Sequence, residues 1–569
     1  MPVVSPVAAL VAAGSTDETP VVKTVDMPRP PVPMTQERVG EGGRRLWMIG
    51  LPITLDGSPG RVLDAAVGAP DLAASRRMLA ALDGAFAAFL WDTRERRLIV
   101  VNDCAGFQPL YMRRTRGTVA FAPRIDALAG EARPDASGWG AFVGFGHFVG
   151  ARTSVEGITR VPPASIIEYE AGPDRLSMTQ YWQWPAMSPD LALDTVDTGE
   201  LLSVLDADIR AYGVYGGAAP LLLSGGFESR LMAALLTRTG QRPLALTLRN
   251  PHEHLEIDGR FAARVARELG LRHDIRDPDP DFFSTSTYLD YVRAHEVAST
   301  SVNLFIAQVA SELQASGAQA TWDGFPFGSI VKEKSAESFE AFLGRTMKPF
   351  DGPEWQAAGQ VFTRDFAADM REGLEQAIRR EIDACHPAPH GTQQFFHRNR
   401  IRHRIAPNTL KVYSTFLLPF LPGLTKAFYE RVVPIPPAVR AGEALYHRIF
   451  ERHFRSLARL PWASGGHLTP GTHKGVGYRA LAARSAVLEH PRIGALLRRA
   501  RLAPARPRST YVDEAVRRAP VDDGFLNADG IRALQQAPPT GTNADSFARE
   551  LVFYWSMWRA VMNDAAAPE

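Results

Sequence analysis

The chain has 569 residues, 45% of them hydrophobic and 22% charged, with a formal net charge of +2. That length holds two or three domains with full apolar cores, and the near-neutral balance excludes a general nucleic-acid binder. Two cysteines, Cys104 and Cys385, exclude a disulfide framework or a cysteine-rich zinc module. No apolar run reaches the ~20 residues needed to cross a bilayer, and no basic region precedes an apolar stretch at the N-terminus. A cytoplasmic protein with no membrane partner is expected. The 14 histidines form no HExxH-like spacing, so zinc has little support.

Residues 1–44 are rich in Pro, Val, Ala and Thr without periodicity and read as a flexible segment. A β-rich domain with few helices is expected over 45–190. Its strands fall at Ala85–Trp91, Arg97–Val101, Thr118–Ala122 and Ser165–Tyr169, and a polar hairpin joins the first two. A linker at Pro185–Pro189 precedes a change in texture. Over 198–569 short apolar strands at Leu221–Leu223, Leu244–Leu248 and Ala318–Trp322 alternate with helices at Ile257–Leu269 and Leu304–Ala315. Such alternation predicts a parallel sheet with crossover helices, whose ligands sit beyond the strand C-termini. After about Gly328 the chain reads as mostly helical.

The most informative stretch is Leu221 to Arg230, LLLSGGFESR. An apolar strand runs into a Ser-Gly-Gly turn and then a helix, leaving unpaired amides where the helix dipole favours an anion. The spacing is not that of a Walker loop and has no lysine. Leu223, Ser224, Gly225, Gly226 and Ser229 are the candidate phosphate-binding residues.

This loop resembles the SGGxDS pyrophosphate loop of the ATP-pyrophosphatase group, to which asparagine synthetases belong. The resemblance extends along the chain in order. Leu82–Asp92, Asn102–Tyr111, Phe121–Arg124, Gly150–Ile158 and Tyr181-Trp182 are similar to segments of the glutaminase domain of that family. Asp258–His273, Asp323-Gly324, Leu418–Leu421 and Lys474-Gly475 are similar to segments of its synthetase domain. Together they span about residues 45 to 480. The implied fold is α/β: an N-terminal Ntn-hydrolase-like β-rich α+β domain, then a parallel-sheet ATP-pyrophosphatase domain of the adenine nucleotide α-hydrolase-like kind, with a helical C-terminal part. The implied chemistry is cleavage of ATP between the α and β phosphates, with AMP passed to a carboxylate and Mg²⁺ as cofactor.

Departures narrow the expectation. The family's active glutaminases carry a cysteine at position 2, whereas this chain begins Met1-Pro2, and Cys104 reads as a small buried residue. Glutamine hydrolysis is therefore not expected, and the amine comes from a second substrate. Members with that loss include β-lactam synthetases, carbapenam synthetases and lasso peptide cyclases, which close a ring within one molecule. Holding amine and acyl-adenylate together supplies effective molarity and excludes water. Arg230, the basic helix around Arg398, Arg400, Arg402 and Arg404, and the long region after Lys474 point to a larger anionic peptide. The basic helix also reads simply as a solvated face. The expected partner is a precursor peptide, whose Asp or Glu side chain is joined to its own N-terminal amine. A leader-peptide protease is a further expected partner.

The resemblance implies roles. Glu228 stands where the family has a metal-binding Asp, and a longer carboxylate still suits a hard cation. Asp323 matches either the residue that orients or deprotonates the attacking group or, after a short gap, the second metal ligand. Pro326 occupies the usual metal-ligand position when no gap is allowed. Lys474 matches the catalytic lysine that neutralises charge on the α-phosphate and the tetrahedral intermediate. Thr247, Arg249 and Asp258 follow the second strand, where adenine and ribose bind, and Thr321, Trp322 and Gly324 flank Asp323. Two other readings stay open: a small-molecule amide or β-lactam-type synthetase, and a scaffold that has lost catalysis.

Overall fold

A computed structural model describes residues 7–13, 21–24, 35–40, 42–216, 219–249, 257–277, 279, 281–296, 305–332, 337–462, 509–521, 523–540 and 542–564. The N-terminal part runs β1 (Val7–Ala13), β2 (Val21–Thr24), β3 (Thr35–Val39), β4 (Arg44–Ile53), α1 (Pro59–Val67), α2 (Leu72–Ala81), β5 (Asp83–Asp92) and β6 (Arg97–Asn102). It continues through β7 (Tyr111–Thr115), β8 (Thr118–Ala122), α3 (Asp126–Ala129), α4 (Ala136–Phe145), β9 (Ile158–Arg160), β10 (Ser165–Glu170) and β11 (Arg175–Gln180). Two antiparallel sheets result, ordered β2-β1-β8-β7-β9 and β11-β10-β6-β5-β4-β3.

Side-chain alternation sets the layers. Along β5, Ala87, Phe89 and Trp91 meet Leu110, Val119 and Phe121 of the facing sheet. The intervening Phe86, Ala88 and Leu90 pack on Leu63, Val67 and Leu79 of α1 and α2. On the far side, α3 packs on the other sheet with Leu128 and the preceding Ile125, and α4 packs beyond it with Trp139 against Phe362, Trp555 and Trp558. The product is a helix–sheet–sheet–helix sandwich, the layering expected of an Ntn-hydrolase-like unit.

Two details differ from the sequence expectation. Four helices belong to this unit rather than few: α1 and α2 each bury an apolar stripe on a sheet, and α4 is buried on all sides over Gly138–Phe145. The leader contributes strands: β1 pairs antiparallel with β8, and β3 with β4. Valine-rich runs have β propensity, and an open sheet edge offers them backbone partners.

The second unit begins with α5 (Thr198–Tyr212) and continues β12 (Leu221–Leu222), α6 (Phe227–Arg238), β13 (Ala245–Leu248), α7 (Ile257–Leu269) and β14 (His273–Arg276). Then follow α8 (Ser286–Ala294), α9 (Phe305–Ala315), β15 (Ala320–Trp322), α10 (Phe325–Val331) and, after further helices, β16 (Leu418–Phe420). The five strands are parallel in the order β14-β13-β12-β15-β16. The chain winds outward from β12 in one direction and from β15 in the other. A topological switch point therefore opens between their C-terminal ends.

The helical remainder ties the two units together. Residues His397–Ile405 form a wide π-helical segment. The basic cluster there divides, two of its arginines serving the protein interior. Arg402 is buried and donates to the carbonyls of Gly106 and Val161, while Arg160 donates to the Arg402 carbonyl at 2.8 Å. Arg398 pairs with Glu381 at 3.0 Å, and Arg400 and Arg404 are half-buried. Arginine's donor fork satisfies backbone carbonyls at a seam that side-chain packing alone leaves polar. Helices Thr510–Arg518, Ala528–Gln536 and Asn543–Asp564 close the structure. Trp555 and Trp558 of the last one pack on Trp139 of the first unit, with ring centroids 5.0 and 5.9 Å away. The described C-terminal residues are thus part of the core. No described helix is long and apolar enough to cross a membrane.

Candidate functional site

The loop after β12 lies at the switch point. Leu223 is buried, with its amide bonded to Leu246 O at 2.8 Å, so the strand's hydrogen bonding continues to the edge of the turn. Ser224 N–H donates to Ser229 Oγ at 2.9 Å, and the two hydroxyls lie 2.9 Å apart. Gly226 N–H donates to Ser224 Oγ at 3.2 Å, and Gly225 N–H donates to Asp258 Oδ1 at 2.9 Å. Gly226 is the N-cap of α6 and supplies no capping side chain. First-turn amides of a 12-residue helix therefore point at the crevice without a cap. The three loop amides are thus already paired within the protein, and what the turn offers an anion is the uncapped N-terminus of α6 beside the Ser224 and Ser229 hydroxyls.

Across the crevice, Asp323 N–H bonds Phe420 O at 3.0 Å, which anchors the turn after β15. Its carboxylate accepts the Phe325 amide at 3.0 Å and the Thr409 hydroxyl at 2.8 Å. Burial raises its pKa, against the lowering effect of those two hydrogen bonds. A carboxylate so placed is suited to taking a proton. Gly324 caps α10.

Glu228 points elsewhere. Its Oε1 lies 2.6 Å from Lys332 Nζ, which also contacts Glu443 at 3.3 Å. Among the described residues no group of three or more His, Cys, Asp or Glu side chains can hold a metal ion. The two carboxylates expected as metal ligands, Glu228 and Asp323, each have other partners, and Pro326 is buried in α10. The residues present do not fit a two-carboxylate Mg²⁺ site.

The remaining candidates divide. Thr247 is buried, and its hydroxyl donates to Leu223 O and contacts His273 Nε2, both at 2.7 Å. It braces the loop from beneath. Thr321 is buried and donates to Pro220 O at 3.3 Å, and the Trp322 ring packs edge-on to Phe420 in the core. Arg249 is half-exposed and pairs with Asp277 at 3.2 Å. Asp258 serves the loop directly through Gly225. Lys474 lies outside the described residues.

Arg230 requires a correction. Rather than facing an anionic substrate it is fully buried, donating to the carbonyls of Leu457, Leu460, Pro461 and Gly225. Burial pulls its pKa down to about 10. It staples the loop to Leu457, Leu460 and Pro461. In the first unit, Cys104 is buried, and burial pushes its thiol pKa far above the usual range, followed by the effect of Asp83. A protonated, enclosed thiol is no nucleophile. Sequence reasoning missed Thr409, Lys332 and Glu443. None of the three left a local signal: Lys332 is the extended C-cap residue of α10, and the partners of all three lie far away in the sequence.

Residues 73–182 match the glutamine amidotransferase domain family. A curated relative, the 7-cyano-7-deazaguanine synthase of Frankia casuarinae, is 29% identical over 160 residues, covering 26% of this chain and 64% of that protein. The chain thus spans less than two thirds of that relative. Among solved structures, the glutamine phosphoribosylpyrophosphate amidotransferase of B. subtilis, complexed with ADP and GMP, has a TM-score of 0.21 at 10% identity, covering 47% of this chain and 84% of its own. An allosteric regulatory enzyme of purine biosynthesis has a TM-score of 0.21 at 11% identity, covering 48% and 76%. Superpositions at that level carry no argument about this fold.

Proposed function

We propose that this chain is an ATP-dependent, AMP-forming amide synthetase that works at the crevice between β12 and β15. The observation that carries the reading is the Ser224–Ser229 loop, which sets two hydroxyls beside an uncapped helix N-terminus on a parallel-sheet switch point. In this reading the loop holds the β and γ phosphates as a substrate carboxylate attacks the α-phosphate. Pyrophosphate leaves, and an amine then displaces AMP from the acyl-adenylate. Asp323 accepts the proton of the attacking amine, a role supported by its raised pKa. Lys474 is assigned the stabilisation of negative charge at the acyl and α-phosphate centres, on the resemblance alone.

The match of residues 73–182 supports kinship with enzymes that carry an amidotransferase domain. The enclosed Cys104 argues against glutamine hydrolysis in this one. The amine then belongs to the substrate, which favours ring closure within one molecule. As substrate we take a precursor peptide whose Asp or Glu side chain is joined to its N-terminal amine, the lasso peptide cyclase reaction, with a leader-peptide protease as the accompanying partner. Arg230, Arg398 and Arg402 do not support that choice, since they are engaged inside the protein, so it rests on the family resemblance. A relative named as a 7-cyano-7-deazaguanine synthase favours the second reading, a small-molecule synthetase.

Mass spectrometry of a candidate core peptide incubated with the protein, ATP and Mg²⁺ tests the choice. Loss of one water from the peptide, with AMP formed, supports the cyclase. AMP formed only with small carboxylates supports the second reading, and no AMP with any substrate overturns both.

A further inference from the structure

The wall facing Glu228 is built by α10 and its two caps, Gly324 and Lys332. A Cβ on Gly324 would lie 3.5 Å from Glu228 O, and a Cβ on Gly328 would lie 2.4 Å from Glu228 Cγ. The Glu228 side chain therefore lies against Gly328. Lys332, the extended C-cap residue of α10, reaches Glu228 at 2.6 Å and Glu443 at 3.3 Å. This wall thus presents Gly328 and Lys332 to the Glu228 side chain. With 14% of its side chain exposed, Lys332 is an enclosed cation between two partly buried anions.

The far side of this wall is also built for the purpose. Glu443 adopts φ +64°, next to Gly442 at φ +62°. A left-handed conformation at a non-glycine residue persists only where its surroundings impose it. Tyr446, three residues on, is fully buried with its hydroxyl unpartnered. Its ring stacks on Phe227 at 5.5 Å, against the first residue of α6. Burial lowers the pKa of Lys332, but Glu228 and then Glu443 outweigh it, so the net shift is upward and the ammonium stays charged.

We propose that Lys332 is the resident cation of the phosphate crevice, standing where a divalent ion held by Glu228 is expected, so that this chain binds a nucleoside triphosphate without a protein-held metal. The proposal rests on the adenylation reading above. An ammonium is a compact charge with three donors on a flexible stem. It can exchange one carboxylate for a phosphate oxygen while the other carboxylate holds it in place. Glu443, set by its strained backbone, is the anchor, and Glu228 is the carboxylate exchanged.

The test titrates ATP into the full chain, with EDTA and with excess Mg²⁺, for wild type, Lys332→Met and Lys332→Arg. Wild type is expected to bind metal-free ATP within about tenfold of its affinity with Mg²⁺. Lys332→Met should lose about tenfold or more of the metal-free affinity, and Lys332→Arg should keep most of it. Wild type that binds ATP only with Mg²⁺ overturns the inference and leaves the adenylation reading standing. Unchanged metal-free binding by a natively folded Lys332→Met does the same. If Lys332→Met does not fold, the wild-type comparison decides alone. Failure to bind any adenine nucleotide in either condition overturns the adenylation reading, and the inference with it.

Discussion

The Asp258 carboxylate accepts the Gly225 amide at 2.9 Å, and the same approach leaves no room for a side chain at position 225. A Cβ there would meet Asp258 Oδ1 at 2.9 Å, Asp258 Cα at 3.2 Å and Phe261 Cβ at 3.3 Å. The glycine is required by α7 as much as by any phosphate. Gly225→Ala should therefore cost about 1–3 kcal/mol of stability and at least about tenfold in nucleotide affinity. Thermal denaturation and ATP titration check this. An alanine variant matching wild type in both contradicts the assigned geometry.

Arg230 is buried and donates to four backbone carbonyls. Arg230→Met keeps the volume and removes every donor. It should destabilise by about 3 kcal/mol or more, since buried acceptors lose their partners. A surface arginine would leave the thermal midpoint unchanged, and that result contradicts the staple.

Stability should peak near neutral pH, from two opposed sets of buried groups. Burial lowers His147, His295 and His397 from 6.5 to about 3, so the unfolded chain binds more protons as pH falls below 6.5 and stability drops. Burial raises Asp208 from 3.8 to about 8, although it accepts bonds from Gly423 N–H and Thr425 Oγ1. Its neutral form is the stable one, so that contribution is complete below 3.8 and fades as pH rises through 8. Thermal midpoints at pH 5, 6.5 and 8 should show the maximum in the middle. Asp208→Asn should abolish the decline between 6.5 and 8, and an unaltered decline contradicts the assignment.

Cys104 should be inert. A thiol reagent added to native protein should leave it unmodified and should label it after unfolding, which peptide mapping can follow. Cys104→Ala should leave product formation unchanged. Rapid native labelling, or loss of activity in a folded alanine variant, contradicts the view that this unit no longer hydrolyses glutamine.

Local patterns carried much of the architecture. The Leu221–Arg230 stretch announced strand, turn and helix, and β12 and α6 stand where that pattern predicts. The helix over Ile257–Leu269 matches its predicted limits, as does the strand over Thr118–Ala122. What sequence could not convey was direction in three dimensions. Arg230 and Arg402 read as surface charge because their carbonyl partners are backbone atoms, which leave no trace in side-chain patterns. Asp323 and Thr409 meet across 86 positions of chain. Lys332 and Glu443 meet through a left-handed backbone turn that no glycine marks at position 443.

The central claim is that the Ser224–Ser229 loop supports cleavage of ATP between its α and β phosphates. Nucleotide products should be resolved chromatographically after incubating wild type and Gly225→Ala with ATP, Mg²⁺ and a panel of core peptides and small amino carboxylates. AMP and pyrophosphate from wild type, in step with loss of one water from a substrate and strongly reduced in the variant, is the predicted result. ADP and phosphate, or AMP formed equally by the variant, would contradict it.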